Sequence, residues 1–196
     1  TLYYHGYGVK QDYLKAIELF KKSSNLDNSD ALNHLGVMYE RGEGVEVDYS
    51  KAKEYYERSS NYNNSDAICN LGYLYERGYG VPQNHAKAKE YYEQASQLKN
   101  SFAFICLGDL YSNGDTIDID IIKAIKYYLF SISVERGSIM KYDIVNKQFT
   151  ARFESNTFRY ISFNNLGLIY YIDLNDYEKA EYYIKESAFN EYPFGQ

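Results

Sequence analysis

The chain has 196 residues, a formal net charge of −6 and a pI near 5.1. An acidic chain without a run of Lys or Arg argues against nucleic-acid binding, because such proteins carry a basic stripe. Its apolar runs are too short to cross a bilayer, so no membrane insertion is expected. Two cysteines are too few for a disulfide framework, which favours a reduced, cytoplasmic chain.

The sequence repeats itself at a spacing of 36 residues. Residues 35–45, 71–81 and 107–114 each begin with Leu-Gly, and a Lys-Ala pair recurs at 15–16, 51–52, 87–88 and 123–124. Fixed self-similarity of this length indicates a stacked repeat array. We predict one repeat domain over 1–196, with units at 1–30, 31–66, 67–102 and 103–132, an insertion at 133–161 and a last unit at 162–194.

Each unit is predicted to begin with a helix, which we call helix A. In the second unit an apolar stripe with the period of an α-helix is formed by Ala31, Leu35, Met38 and Tyr39. Ser29 or Asp30 is expected to cap the start of this helix. Gly42 is expected to end it, because glycine readily takes the left-handed conformation found after helices.

A second helix, helix B, is predicted to follow in each unit. A residue type that caps helices stands four positions before the alanine of each unit, at Asp12, Asp48, Asn84, Asp120 and Asp176. The inner face of helix B places a small residue before a large pair, as in Ala52, Tyr55 and Tyr56. One hairpin of helices A and B cannot bury its own apolar stripes, so neighbouring hairpins are expected to stack.

These residues resemble the repeat unit of the Sel-one-like repeat (SLR) family, a relative of the tetratricopeptide repeat. The family unit reads A-x3-LG-x2-Y-x2-G-x-GV-x2-D-x2-KA-x2-[WY]-Y-x2-[AS]-[AS], and residues 31–60 and 67–96 match nearly every position. The resemblance implies an all-α fold, an α-solenoid of antiparallel helix pairs in a right-handed superhelix. It also implies a non-catalytic scaffold or adaptor for proteins, without a cofactor.

The later units depart from this pattern. Thr116 replaces the second glycine of the fourth unit, and a 23-residue insertion delays the last unit, whose turn is shorter by three residues. The first unit starts in the middle of its helix A, so we expect the chain to be a segment of a longer protein.

The remaining candidate chemistry favours structural roles. The Gly-x-Gly pairs lack the strand and the third glycine of a phosphate loop. Histidines and cysteines stand without a base or a ligand partner at helical spacing, so neither a metal site nor a catalytic thiol is predicted. Glu40 and Glu76 occupy equivalent positions and form either a recognition ladder or solvated charge.

By resemblance to the tetratricopeptide groove, the partner-binding surface is expected on the concave face, at positions −3, +1, +4 and +5 from the Leu-Gly glycine. These groove positions hold Asn33, Val37, Glu40, Arg41, Cys69, Tyr73, Glu76, Arg77, Ile105, Asp109, Ser112, Asn113, Asn164, Leu168, Tyr171 and Ile172. Arginine can hold a carboxylate by two hydrogen bonds, and tyrosine rings can anchor a ligand. The expected partner is a protein or peptide segment with some negative charge.

Two alternatives stay open. The insertion at 133–161 is locally basic and rich in aromatic residues, so it either packs onto the solenoid or binds a partner. The chain as a whole could instead be a structural spacer, or a segment that associates with itself end to end. It would then belong to a larger protein with a kinase or other catalytic domain outside this chain.

Overall fold

The computed structural model describes residues 2–113, 119–135 and 157–191, which form ten α-helices and no strand. Thr116 lies outside these ranges, and so does most of the predicted insertion at 133–161. Two compact units, Thr1–Leu98 and Lys99–Gln196, are described separately below as unit 1 and unit 2. Unit 1 contains α1 (Leu2–His5), α2 (Tyr13–Ser24), α3 (Ser29–Arg41), α4 (Tyr49–Ser60), α5 (Ser65–Arg77) and α6 (His85–Gln97). Unit 2 contains α7 (Ser101–Asn113), α8 (Ile121–Glu135), α9 (Thr157–Ile172) and α10 (Tyr177–Glu191).

Every helix B begins at its predicted cap. The side chain of Asp48 accepts a hydrogen bond from the backbone N–H of Lys51 at 2.9 Å, which satisfies a donor that the first turn leaves unpaired. Equivalent caps are made by Asp12, Asn84, Asp120 and Asp176. The prediction of all five helix starts is confirmed.

The start of helix A lies one residue earlier than predicted. Asn28, not Ser29 or Asp30, accepts the hydrogen bond from the backbone N–H of Ala31, at 2.8 Å. Asn64 and Asn100 cap α5 and α7 in the same way. The expected cap is therefore wrong, because an asparagine side chain one residue upstream already reaches the N–H three residues on.

The helix A ends and the turns agree with the prediction. Gly42 and Gly78 follow α3 and α5 in the left-handed region, with φ of 72° and 71°. In the last hairpin, residues 173–176 connect the helices, whereas residues 42–48 connect α3 to α4, so this turn is three residues shorter. The Gly-x-Gly pairs are thus inter-helix turns.

The hairpins close where the Leu-Gly glycine meets a buried tyrosine. A Cβ atom on Gly36 would lie 2.4 Å from Cε1 of Tyr56, a ring that is 0% exposed. The same contact joins Gly72 to Tyr92 and Gly108 to Tyr128. Only glycine lets the two helices approach this closely, so this pairing explains the repeated glycine.

A second aromatic contact lies beside the first. The rings of Tyr39 and Tyr55 stack at 5.6 Å, and Nζ of Lys51 lies 5.4 Å from the Tyr39 centroid. Lys51 also pairs with the cap carboxylate of Asp48 at 3.0 Å. Equivalent stacked pairs are Tyr75–Tyr91, Tyr111–Tyr127 and Tyr170–Tyr183. Many of the tyrosines therefore pack helix A against helix B within a hairpin.

Candidate partner-binding surface

The predicted groove positions divide between the two units. Those of unit 1 lie on α3 and α5, and those of unit 2 lie on α7 and α9. The two arginines are open to solvent, with 62% of the Arg41 side chain and 54% of the Arg77 side chain exposed. Each lies near a carboxylate, Glu43 at 3.8 Å and Glu76 at 3.5 Å respectively, so both keep donors for a ligand.

Position −3 does not face a partner. Cys69 and Ile105 are each 1% exposed, so including them in the groove needs correction. The amide oxygen of Asn33 accepts a hydrogen bond from Asn70 on α5 at 3.0 Å. Asn33 thus points towards α5, the next helix A of unit 1, and is used for packing between these two repeats.

The two glutamates at position +4 bind inside their own hairpins. Oε2 of Glu40 accepts a 2.7 Å hydrogen bond from the Tyr56 hydroxyl, and Glu76 accepts one of the same length from Tyr92. Burial raises the pKa of Glu40, while the Tyr56 bond and Arg41 act in the opposite direction. Burial, followed by the Glu40 charge, raises the pKa of Tyr56, which keeps its proton on the donating hydroxyl. The carboxylates are thus anchored acceptors rather than solvated charge.

In unit 2, a different carboxylate accepts from the buried tyrosine of the hairpin. Ser112 stands at position +4 of α7, and the Tyr128 hydroxyl donates instead to Asp109 at position +1, at 2.5 Å. Asn165 on α9 also donates to Asp109, at 3.0 Å. Asp109 is therefore held from two sides, and burial with this charge raises the pKa of Tyr128.

Sequence reasoning missed these tyrosine–carboxylate bonds, although the sequence carries a signal for them. Glu40 and Glu76 each precede their tyrosine by 16 residues. In the first repeat, helix B has Phe20, which lacks a hydroxyl. Tyr4 takes the glutamate position there, and its ring lies 6.2 Å from the Phe20 ring. The first repeat, whose helix B lacks the tyrosine hydroxyl, thus also lacks the glutamate that would accept from it.

The structure gathers an aromatic and cationic patch in unit 1, which we call the tyrosine–arginine patch: Tyr49, Tyr73, Arg77 and Tyr79. The guanidinium of Arg77 lies 5.5 Å from the Tyr73 centroid. The Tyr79 ring meets Tyr73 edge-on at 6.0 Å and stacks on Tyr49 at 4.6 Å. The sequence predicted Tyr73 and Arg77 but not the other two, which come from the Gly-x-Gly turn and from the start of α4.

The groove positions of α9 form an apolar face in unit 2. Leu168, Tyr171 and Ile172 are 45%, 55% and 65% exposed. The Tyr171 ring packs edge-on against Tyr177 at 5.4 Å. Rings and aliphatic side chains that are this open can bind a partner's apolar side chains.

The other groove positions contribute less. Val37 packs against the core of unit 1, and Asn164 is half-buried. Ser112 donates to the Asp109 carbonyl at 3.1 Å, while the side chain of Asn113 lies outside the description. The groove positions of unit 1 therefore offer charge and aromatic rings, whereas those of α9 offer apolar groups.

Neither metal nor membrane chemistry emerges from the described residues. No cluster of three or more His, Cys, Asp or Glu side chains there could hold a metal ion. In the same ranges, no helix is long and apolar enough to span a membrane. Cys69 and Cys106 are free thiols, and both are buried.

The family model of the Sel1 repeat matches residues 1–28, 29–61, 65–100 and 107–133, well over half of the chain. The chain belongs to the Sel1 repeat family. The last hairpin of this Sel1 repeat chain lies beyond those matches, consistent with its shorter turn and with Ile184 in place of the buried tyrosine. Proteins of this family are generally scaffolds for protein–protein interaction.

Solved structures show the same repeat architecture. The Sel1 repeat protein from Oxalobacter formigenes is 26% identical with a TM-score of 0.74, over 96% of this chain and 69% of that one. The protective antigen c5321 of uropathogenic Escherichia coli, which displays an SLR fold, is 25% identical with a TM-score of 0.75. That match covers 96% of this Sel1 repeat chain but 36% of the antigen. No curated protein matches the chain.

Proposed function

We propose that this chain is a non-catalytic scaffold that binds a partner segment through the tyrosine–arginine patch of unit 1. The observation that carries the proposal is the arrangement of Arg77, which lies over the Tyr73 ring while 54% of its side chain stays exposed. Aromatic and arginine side chains contribute most of the binding energy in protein interfaces.

The chemistry of the patch favours a partner with a carboxylate next to an apolar or aromatic side chain. Arg77 offers donors to the carboxylate, as does Arg41 at the equivalent position of α3. Tyr73 and Tyr79 offer ring surface to its neighbour. Glu40 and Glu76 accept from buried tyrosines, so they are less available to attract a basic partner. The segment would be extended or helical, and the protein would be the scaffold rather than a catalyst.

The absence of catalysis is part of the proposal. An active site brings together groups with displaced pKa values in one cleft. Here the strongest upward displacements belong to buried tyrosines, each of which donates to a carboxylate of its own hairpin. These groups serve the packing of the helices and do not converge on a shared substrate position.

A peptide-display selection on the purified chain, followed by affinity measurements, tests the proposal. We expect selected peptides to combine Asp or Glu with aromatic or aliphatic residues. Replacing Arg41→Glu and Arg77→Glu together should weaken their binding by at least about tenfold. Arg58→Glu is the matched control, because Arg58 is also exposed and also lies over a tyrosine ring, at 5.8 Å, but on helix B. Equal affinity of the double variant and the parent chain would refute the assignment.

A further inference from the structure

Two Gly-x-Gly turns of unit 1, at residues 42–44 and 78–80, share a backbone conformation but differ in the chemistry of their middle residue. All four glycines are left-handed, with φ from 67° to 77°. A Cβ atom on the second glycine of either turn would lie 2.7 Å from the Cβ of the tyrosine that begins the preceding helix B. The middle residue therefore extends from equivalent places, as Glu43 in one turn and Tyr79 in the other.

In the first of these turns, the middle residue places a carboxylate beside the arginine that ends helix A. Oε1 of Glu43 lies 3.8 Å from Nη1 of Arg41, and 20% of the Glu43 side chain is exposed. Its other oxygen, Oε2, is buried and has no hydrogen-bond partner among the described residues. A fixed carboxylate at this place repels a second one that approaches Arg41. The chain itself thus partly neutralises this arginine.

In the second turn an aromatic ring replaces that carboxylate. The Tyr79 ring meets Tyr73 edge-on, at 6.0 Å and an interplanar angle of 77°, and stacks on Tyr49 at 4.6 Å. The carboxylate near Arg77 is Glu76, whose Oε1 lies 3.5 Å from Nε. In the part of the chain that the structure describes, the terminal nitrogens of Arg77 make no hydrogen bond, so they can form the fork that binds a carboxylate.

The glutamates at position +4 do not distinguish the two repeats. Glu40 and Glu76 stand directly before Arg41 and Arg77, and each accepts from a buried tyrosine of its own hairpin. Arg41 therefore has two carboxylates of its own chain nearby, whereas Arg77 has one. The difference between the two arginines comes from the middle residue of the turn.

We propose that Tyr79 is the specificity-determining residue of the tyrosine–arginine patch: it makes the patch selective for an acidic segment. This inference rests on the function proposed for the patch. A carboxylate of the segment binds Arg77, and the apolar or aromatic side chain next to it fits the angle between the Tyr73 and Tyr79 rings. The middle residue of the Gly-x-Gly turn thus determines which repeat takes an acidic ligand, and a glutamate there disfavours one.

Two synthetic peptides are the probe: acetyl-Glu-Asp-Phe-Glu-Leu-amide and its uncharged twin, acetyl-Gln-Asn-Phe-Gln-Leu-amide. Their binding to the 196-residue chain is followed by NMR chemical-shift changes. We expect the acidic peptide to bind more tightly than its twin, with shifts centred on Tyr73, Arg77 and Tyr79. Both peptides keep the phenylalanine, so their difference measures the contribution of the carboxylates.

The decisive comparison is between Tyr79→Glu and Tyr79→Gln, which both remove the ring while only the first adds a charge. Tyr79→Glu should bind the acidic peptide about fivefold more weakly than Tyr79→Gln, the effect of an exposed ion pair. The turn at residues 42–44 already carries a glutamate, so this backbone accepts one. Tyr62→Glu is the matched control, because Tyr62 is 49% exposed and lies outside the patch. Glu43→Gln should produce shifts at Arg41 that the parent chain lacks.

The outcomes separate this inference from the proposed function. Equal binding of the two peptides by the parent chain would refute the proposed function and this inference with it. A parent chain that prefers the acidic peptide, with equal affinities for Tyr79→Glu and Tyr79→Gln, would refute the role of Tyr79 alone. Equal losses for Tyr79→Glu and Tyr62→Glu would also overturn it, because net charge would then explain the effect. So would equal shifts at Arg41 and Arg77 in the parent chain.

Discussion

The hydroxyl of Tyr56 donates a 2.7 Å hydrogen bond to the carboxylate of Glu40, which lies on the other helix of the same hairpin. The tyrosine is 0% exposed, so this carboxylate replaces water as the acceptor for its hydroxyl. The bond links the end of α3 to the middle of α4, beside the close contact of Gly36 with the same ring. Two features of the repeat motif thus serve one side chain.

Glu40 should tolerate an amide but not an aliphatic side chain. Glu40→Gln keeps an oxygen that accepts from Tyr56 and removes a partly buried charge, so we expect little change in the free energy of unfolding. Glu40→Leu leaves a buried hydroxyl without its acceptor and should cost about 1–3 kcal/mol. Urea unfolding followed by circular dichroism measures both.

The control for that prediction is the double variant Glu40→Leu, Tyr56→Phe. Removing both partners together is expected to be much less costly than Glu40→Leu alone, because no buried polar group stays unpaired. The first hairpin already has this arrangement, with Phe20 against Tyr4. If the double variant were as unstable as the sum of the single variants, the bond would not be the cause.

Gly36→Ala should destabilise the chain in spite of the better helix propensity of alanine. The new Cβ would lie 2.4 Å from the ring of a tyrosine that has no room to move. Overpacking of this kind costs about 1–3 kcal/mol, against a gain of about 1 kcal/mol from propensity. In a Tyr56→Leu background the penalty should disappear. A penalty of unchanged size there, measured by thermal unfolding, would contradict the steric explanation.

Ser59 and Ser131 form a matched pair of buried serines at the same repeat position. The Ser59 hydroxyl donates to the Ser29 carbonyl at 2.7 Å, whereas the Ser131 hydroxyl has no partner among the described residues. We expect Ser59→Ala to cost about 1 kcal/mol and Ser131→Ala to be neutral or stabilising. The third repeat already carries alanine at this position, Ala95. Equal losses in the two variants, by urea unfolding, would refute the distinction.

Alkaline pH should unfold the protein through tyrosines that are buried, such as Tyr56, or half-buried, such as Tyr4. Burial, aided by Glu43, raises the pKa of Tyr4 from 10.0 to about 12, and burial with Glu40 also raises that of Tyr56. Because these pKa values are higher in the folded chain, the tyrosines ionise at a lower pH in the unfolded chain. Their contribution to the free energy of unfolding is therefore complete below pH 10 and is lost as the pH rises. Urea midpoints measured from about pH 8 to about pH 12 should fall above 10. Tyr56→Phe should flatten that decline, and an identical decline would exclude Tyr56 as a cause.

The periodic features of the fold could be predicted from the sequence because they depend on local chemistry. A capping side chain such as Asp48 needs only the N–H three residues on, and a left-handed glycine such as Gly42 needs only its own φ. The error at the start of helix A was one residue. Ser29 and Asn28 are both good caps by residue type, and it is the Asn28 side chain that accepts from the N–H three residues on.

The candidate surface was harder to predict because it depends on neighbouring repeats. Position −3 looks outward from one hairpin alone, but in unit 1 the next helix A reaches it, where Asn70 donates to Asn33. Tyr79 reaches Tyr73 from the Gly-x-Gly turn and stacks on Tyr49 at the start of α4, which no spacing along a single helix indicates. Contacts within a hairpin follow from the sequence period, whereas contacts between hairpins require the packing itself.

The tyrosine–carboxylate bond and the glycine contact both lie within a single hairpin. Between neighbouring hairpins of unit 1, by contrast, specific polar matching is carried by asparagines, such as Asn64 with Asp30 and Asn70 with Asn33. A block of 36 residues therefore keeps the contacts that hold its two helices together when it is duplicated or transplanted. To insert such a cassette elsewhere in the array, an engineer would need to match only the amide pairs and the apolar contacts at its two borders.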